Sequence, residues 1–181
     1  MANELSGPQW CDRFPTSHSV DSCVEPFRGR LKKFLAALHA AKATVTISAT
    51  YRPRERAYLM HYCWLIANHQ MAASAVPAMP GVPIKWAHPT NAKSVAAAQA
   101  MADKYDIAYA PVLRSRHTDG LAVDMDVSWS GSLKITDAHG RHLAVGTQPR
   151  SGMNHALWPI GASYGVIKLA SDPPHWSSDG H

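Results

Sequence analysis

Apolar positions recur along the chain in two periods, and the periods locate most of its elements. Phe27, Leu31, Phe34, Leu35 and Leu38 fall three and four apart, which predicts an amphipathic helix opening at Pro26-Phe27. Thr44 to Ala49 alternates and is β-branched, which predicts a strand. Pro53 then suits a helix start, and Tyr58, Tyr62, Leu65 and Ile66 put one apolar face on a helix over Arg54–His69. Four prolines (Pro77, Pro80, Pro83 and Pro89) mark residues 74–90 as a loop. Asn91 is placed to cap an Ala-rich helix running to Tyr105. Leu121 to Val127 alternates apolar residues with acids and reads as a strand. Leu133 to Thr136 reads as another, turning at His139-Gly140. A short helix is expected from Ser151 or Gly152 toward Ile160, and a last strand over Gly165–Leu169, with Asp172-Pro-Pro-His175 beyond it. Helices and strands mix without regular βαβ alternation, so the expected class is α+β: a small antiparallel sheet with flanking helices. Residues 1–26, rich in Pro, Ser and polar side chains, read as an irregular lead-in to a single domain over 27–181.

Composition narrows the class. A chain of 181 residues with 46% hydrophobic and 17% charged residues can bury a core and is not of disordered type. The net charge of +5 suits an anionic polymeric partner: nucleic acid, a membrane surface or a bacterial cell wall. Basic residues form no block and do not interleave with aromatics, which disfavours nucleic acid. Apolar runs are too short to span a bilayer, so stable membrane insertion is not expected. The first ten residues carry no classical signal peptide, so work outside the cytoplasm implies delivery by another route. Cys11, Cys23 and Cys63 are odd in number; reduced thiols are the simpler reading, a Cys11–Cys23 bridge the alternative.

The chemistry concentrates in Ser115-Arg-His117-Thr-Asp-Gly120-Leu-Ala122-Val-Asp124 and in Asp172-Pro-Pro-His175-Trp176. Eleven histidines make any single one weak evidence, so spacing and company must decide. Gly120 permits a tight turn that returns His117 toward the strand. Two histidines and one carboxylate are offered here as ligands, and three protein ligands with a fourth position open are what a catalytic zinc needs. Asp124 and Asp126 share one strand face, and spacing alone does not choose between them.

The first stretch resembles the S-x-H-x-x-G-x-A-x-D motif of the zinc D-alanyl-D-alanine peptidases. That family includes vancomycin-resistance carboxypeptidases and dipeptidases and phage L-alanyl-D-glutamate endopeptidases, and shares a fold with the hedgehog signalling domain. Ser115, His117, Gly120, Ala122 and Asp124 fill its fixed positions, and the resemblance selects Asp124 over Asp126. Asp172, His175 and Trp176 match a second element, an acid three residues before the last ligand followed by an aromatic. Many relatives carry Glu where this chain has Asp172. Thr50-Tyr51-Arg52-Pro53 matches a third, strand-end element.

The resemblance implies zinc held by His117, Asp124 and His175, with Asp172 as general base. Arg52 would stabilise an oxyanion or grip a carboxylate, and Ser115, Tyr51 and Trp176 would contact substrate. It implies a monomeric peptidase of peptidoglycan stem peptides, acting on the wall after delivery as a phage endolysin or exported effector. His88 and His155 match no ligand pattern, though His155 could line the cleft. Competing readings are a non-catalytic binding module on the zinc fold and a cytoplasmic D-Ala-D-Ala dipeptidase.

Overall fold

The computed structural model describes residues 4–181 and is α+β, as the periods predict. Its chain divides into two compact units. One comprises the N-terminal segment to Thr16 with Arg52–Ser115, the other Ser17–Tyr51 with Arg116–His181.

The first unit is built on two helices. Helix α2 (Arg54–Ala67) and helix α3 (Asn91–Tyr105) pack together over an apolar cluster of Tyr58, Leu59, Cys63, Ile66, Ala98 and Met101, with Trp10 fully buried among them. Helix α3 is capped by Thr90 rather than Asn91: Thr90 is extended and its hydroxyl accepts from the Lys93 amide at 3.3 Å. Two stretches expected to be irregular hold the two-residue strands β1 (Glu4–Leu5) and β3 (Ile84–Lys85), which pair in parallel. Two residues are too few for an alternation to show.

In the second unit, helix α1 (Phe27–Ala40) buries the five apolar residues that define its period. They pack on the sheet formed by β2 (Thr44–Ala49), β4 (Ala122–Ser128), β8 (His175–Ser177) and β7 (Ile167–Lys168), in the order β2-β4-β8-β7 with all neighbours antiparallel. Strand β4 is central. Val123, Met125 and Val127 face the core, and Ala122, Asp124 and Asp126 lie on the other face. Strands β5 (Leu133–Thr136) and β6 (His142–Val145) make a separate hairpin around the expected turn.

The late helix begins further on than its pattern suggests. Helix α4 spans Trp158–Ser163. Ahead of it the Asn154 side chain donates to the carbonyls of Thr147 and Pro149 and accepts from Ala156 N. That local bonding competes with helix, and Pro159 is better placed to open one. Cys11, Cys23 and Cys63 are free and buried, so no bridge joins Cys11 to Cys23. Among the described residues no helix is long and apolar enough to cross a membrane.

Candidate metal centre

Strand register brings two of the predicted ligands together. Asp124 on β4 lies directly across from His175 on β8, the closest approach two side chains on one sheet face can have. Asp126 has no such neighbour: β8 pairs only with Ala122, Val123 and Asp124, and the last bond beyond is from Met125 N to Pro174 O at 2.9 Å. Asp126 is exposed. On the other edge of β4, register slips between Ile47 and Ala49, a bulge opposite Asp124, and Ser48 Oγ reaches the Asp124 carbonyl at 3.3 Å. Bulges re-aim side chains beside functional sites.

His117 arrives from the turn ahead of β4. The turn is closed by Gly120 N to His117 O at 3.2 Å and Leu121 N to Arg116 O at 2.8 Å. Gly120 sits at φ +70, and a Cβ there would lie 3.1 Å from Val24 Cγ1, so both conformation and space call for glycine.

The three functional atoms converge closely. His117 Nε2 lies 3.1 Å from Asp124 Oδ1 and 3.1 Å from His175 Nδ1, and His175 Nδ1 lies 3.0 Å from Asp124 Oδ1. The outer ring nitrogens are both committed to backbone. His117 Nδ1 donates to the Thr50 carbonyl at 2.8 Å, and His175 Nε2 to the His181 carbonyl at 3.2 Å. A carbonyl only accepts, so each ring carries its proton outward and turns a lone pair inward. Two lone pairs and a carboxylate oxygen pointing at one spot repel unless a proton or a cation lies among them. Tetrahedral zinc with N and O ligands at about 2.0–2.1 Å would space those atoms by about 3.3 Å, close to what is found. The outward bonds to carbonyls are the arrangement that fixes ring orientation in metal-ligating histidines. His117, Asp124 and His175 thus form a group that can hold a metal ion.

The electrostatics agree. Burial opposes ionisation of Asp124, but the hydrogen bonds and charge of His117 and His175 outweigh it and hold its carboxyl well below the usual carboxylate range. Burial likewise opposes charging of His175, and Asp124 outweighs it, so the His175 pKa is raised.

The surrounding bonds hold the ligands in place. Thr50, wholly buried, fixes its carbonyl by bonding through its amide to Ser17 O at 2.7 Å and through its hydroxyl to Ser19 O at 2.8 Å. Arg116, next to His117, grips Asp179 with two nitrogens, one at 3.1 Å. The Thr50 contacts have no sequence signature, because they end on backbone carbonyls.

The remaining predicted residues are distributed as follows. Asp172 is exposed in the loop between β7 and β8, and its charge reaches His175 and Lys168. Trp176, expected against substrate, is instead fully buried. Its ring packs on Phe34 at 5.6 Å and closely over Gly161. An aromatic one residue past His175 must point to the opposite sheet face, which here is the core. Tyr51 is half-buried at the end of β2. Arg52 and Ser115, both half-buried, belong to the first unit. His88 bonds Ser6 at 3.0 Å, and His155 is exposed beside Trp158 at 4.2 Å between ring centres.

Sequence reasoning missed Lys168. It is only 7% exposed, and its ammonium donates to the carbonyls of Leu169, Asp172 and His175. Burial pushes its pKa down, against the pull of Asp172 and Asp124.

No protein-family model and no curated protein matches the chain. Among solved structures it is similar to the vancomycin-resistance D,D-pentapeptidase VanY of a VanB-type resistance cassette, a glutamate-to-alanine variant in complex with Zn(II). The identity is 16%, over 97% of this chain and 86% of that one, with a TM-score of 0.37. At that distance the likeness transfers no residue's role.

Proposed function

We propose that the protein is a zinc-dependent peptidase of peptidoglycan stem peptides, cutting a bond that involves a D-amino acid. The observation that carries this reading is the inward-facing trio, with both histidine protons tied outward to carbonyls and a spacing that fits zinc. The peptidase assignment adds the motif match at Ser115, His117, Gly120, Ala122 and Asp124.

His117 Nε2, His175 Nδ1 and Asp124 Oδ1 would hold the metal. Zinc bound there supplies Lewis-acid polarisation of the scissile carbonyl and lowers the pKa of water toward about 7. Asp172, three residues before His175 and open to solvent, takes the proton from the attacking water and returns it to the leaving amine. On the motif resemblance alone, Arg52 meets the oxyanion or a substrate carboxylate, and Ser115 and Tyr51 contact the peptide. The +5 net charge favours approach to an anionic wall. Delivery as an endolysin or as an exported effector belongs to the same proposal.

The test is mass spectrometry of muropeptides after purified sacculi are digested with zinc-loaded protein. Loss of a terminal D-Ala, or cleavage between L-Ala and D-Glu, is expected. Each gives its own mass, and chelation should abolish either. Unchanged muropeptides after treatment with folded, zinc-loaded protein would reject the reading.

A further inference from the structure

The loop from Leu169 to His175 is short of hydrogen-bond donors. Pro173 and Pro174 contribute no amide hydrogens. Yet the carbonyls of Leu169, Asp172 and His175 turn inward to one point, where the Lys168 ammonium lies, 2.5 Å from Leu169 O and 3.0 Å from His175 O, with Asp172 O as its third partner. Each carbonyl also accepts one amide: Asp172 N on Leu169 O at 3.3 Å, His175 N on Asp172 O at 3.1 Å, and Leu169 N on His175 O at 3.1 Å. An ammonium has three donors and a carbonyl two lone pairs, so every group in this cage is satisfied. The Trp176 ring lies beside the cation at 5.7 Å. A lysine that merely covered an aromatic ring would extend its charge to water. This one turns inward, at the desolvation cost a buried charge carries.

We propose that Lys168 is a positioning residue for the metal centre: its ammonium gathers three loop carbonyls and so fixes the segment that presents His175 as ligand and Asp172 as base. The cage is geometry, and its purpose rests on the zinc reading above. Lys168 holds His175 at its carbonyl, together with the Leu169 amide, and the His181 carbonyl holds it at its ring. Loosening the first lets the ring drift from the 3.0 and 3.1 Å contacts it makes with Asp124 and His117.

The test compares the full chain with K168M, reading zinc affinity by chelator competition, the visible absorption bands of bound cobalt(II), and circular dichroism. K168M should fold, bind zinc about ten- to a hundred-fold more weakly, and show shifted cobalt bands. A lysine of purely structural role would lower Tm and leave the bands alone. Folded K168M with unchanged affinity and bands would therefore overturn the proposal. If K168M does not fold, K168R decides. A planar guanidinium cannot serve three carbonyls round one point, so shifted bands are expected and unchanged bands and affinity would overturn the proposal. Failure of the unaltered chain to bind either metal would instead overturn the zinc reading itself.

Discussion

Two hairpin loops in the second unit are each organised by one buried charge, with opposite signs and different reach. Between β5 and β6, Asp137 collects donors: its carboxylate accepts from the amides of His139 and Arg141, both at 2.9 Å, and from the Arg141 guanidinium at 2.7 Å. Between β7 and β8, Lys168 collects acceptors, three carbonyls in place of three donors. The Asp137 loop carries its own counter-ion four residues on and is closed upon itself. Lys168 feels the opposing charges of Asp172 and Asp124, both of the candidate site. The first device can act on a turn; the second ties a turn to chemistry.

Four expectations would break or sharpen this contrast. The largest effect belongs to Asp172→Ala. Turnover on muropeptides should fall by about 10²–10⁴, the usual worth of a general acid–base, while zinc content is kept. Wild-type turnover would remove Asp172 as the base. Next, Gly161→Ala should destabilise by about 1–3 kcal/mol in denaturant unfolding, as overpacking does. Its Cβ would meet Trp176 at 2.7 Å and the Val166 carbonyl at 2.8 Å, so the strain should enter beneath the β7–β8 loop. An unchanged unfolding midpoint would show that Trp176 gives way freely.

Asp137→Ala is the direct counterpart of the lysine variant. It should lower Tm while zinc affinity and cobalt bands stay as they are, and altered bands would erase the distinction between the loops. The smallest effect is the pH dependence of the metal-free protein. The lowered pKa of Asp124 gives stability present above its ordinary value of about 4 and lost as pH falls toward the depressed folded value. The raised pKa of His175 gives stability present below its ordinary value of about 6.5 and lost as pH climbs through the folded value. Chelated protein should therefore show its highest Tm between those limits. Added zinc should stabilise more as pH rises, because the metal needs neutral imidazole. A zinc benefit that grows toward acid would contradict the assigned ligands.

The elements with a clean period were legible from the sequence. The helix from Phe27 and the central strand lie where spacing put them, because each has one buried face. The strands at Glu4 and Ile84 were too short to leave a pattern, and the late helix was displaced by Asn154 bonding its own neighbourhood. At the site, side-chain identities carried the signal for His117, Asp124 and His175; spacing left Asp124 and Asp126 open, the motif resemblance selected Asp124, and strand register sets Asp124 across from His175. Trp176 was misread because a motif records that an aromatic is present, not which sheet face it occupies. The contacts of Lys168 and Thr50 left no trace in the sequence because each ends on a backbone carbonyl, which every residue has.

The most direct measurement is zinc stoichiometry by elemental analysis of purified wild-type protein, His117→Ala and Asp126→Asn. About one zinc per chain is expected in wild type and in Asp126→Asn, which lies on the same strand face but outside the trio, and none in His117→Ala. Wild type without zinc, or His117→Ala with as much as wild type, would contradict the metal centre on which the proposed chemistry depends.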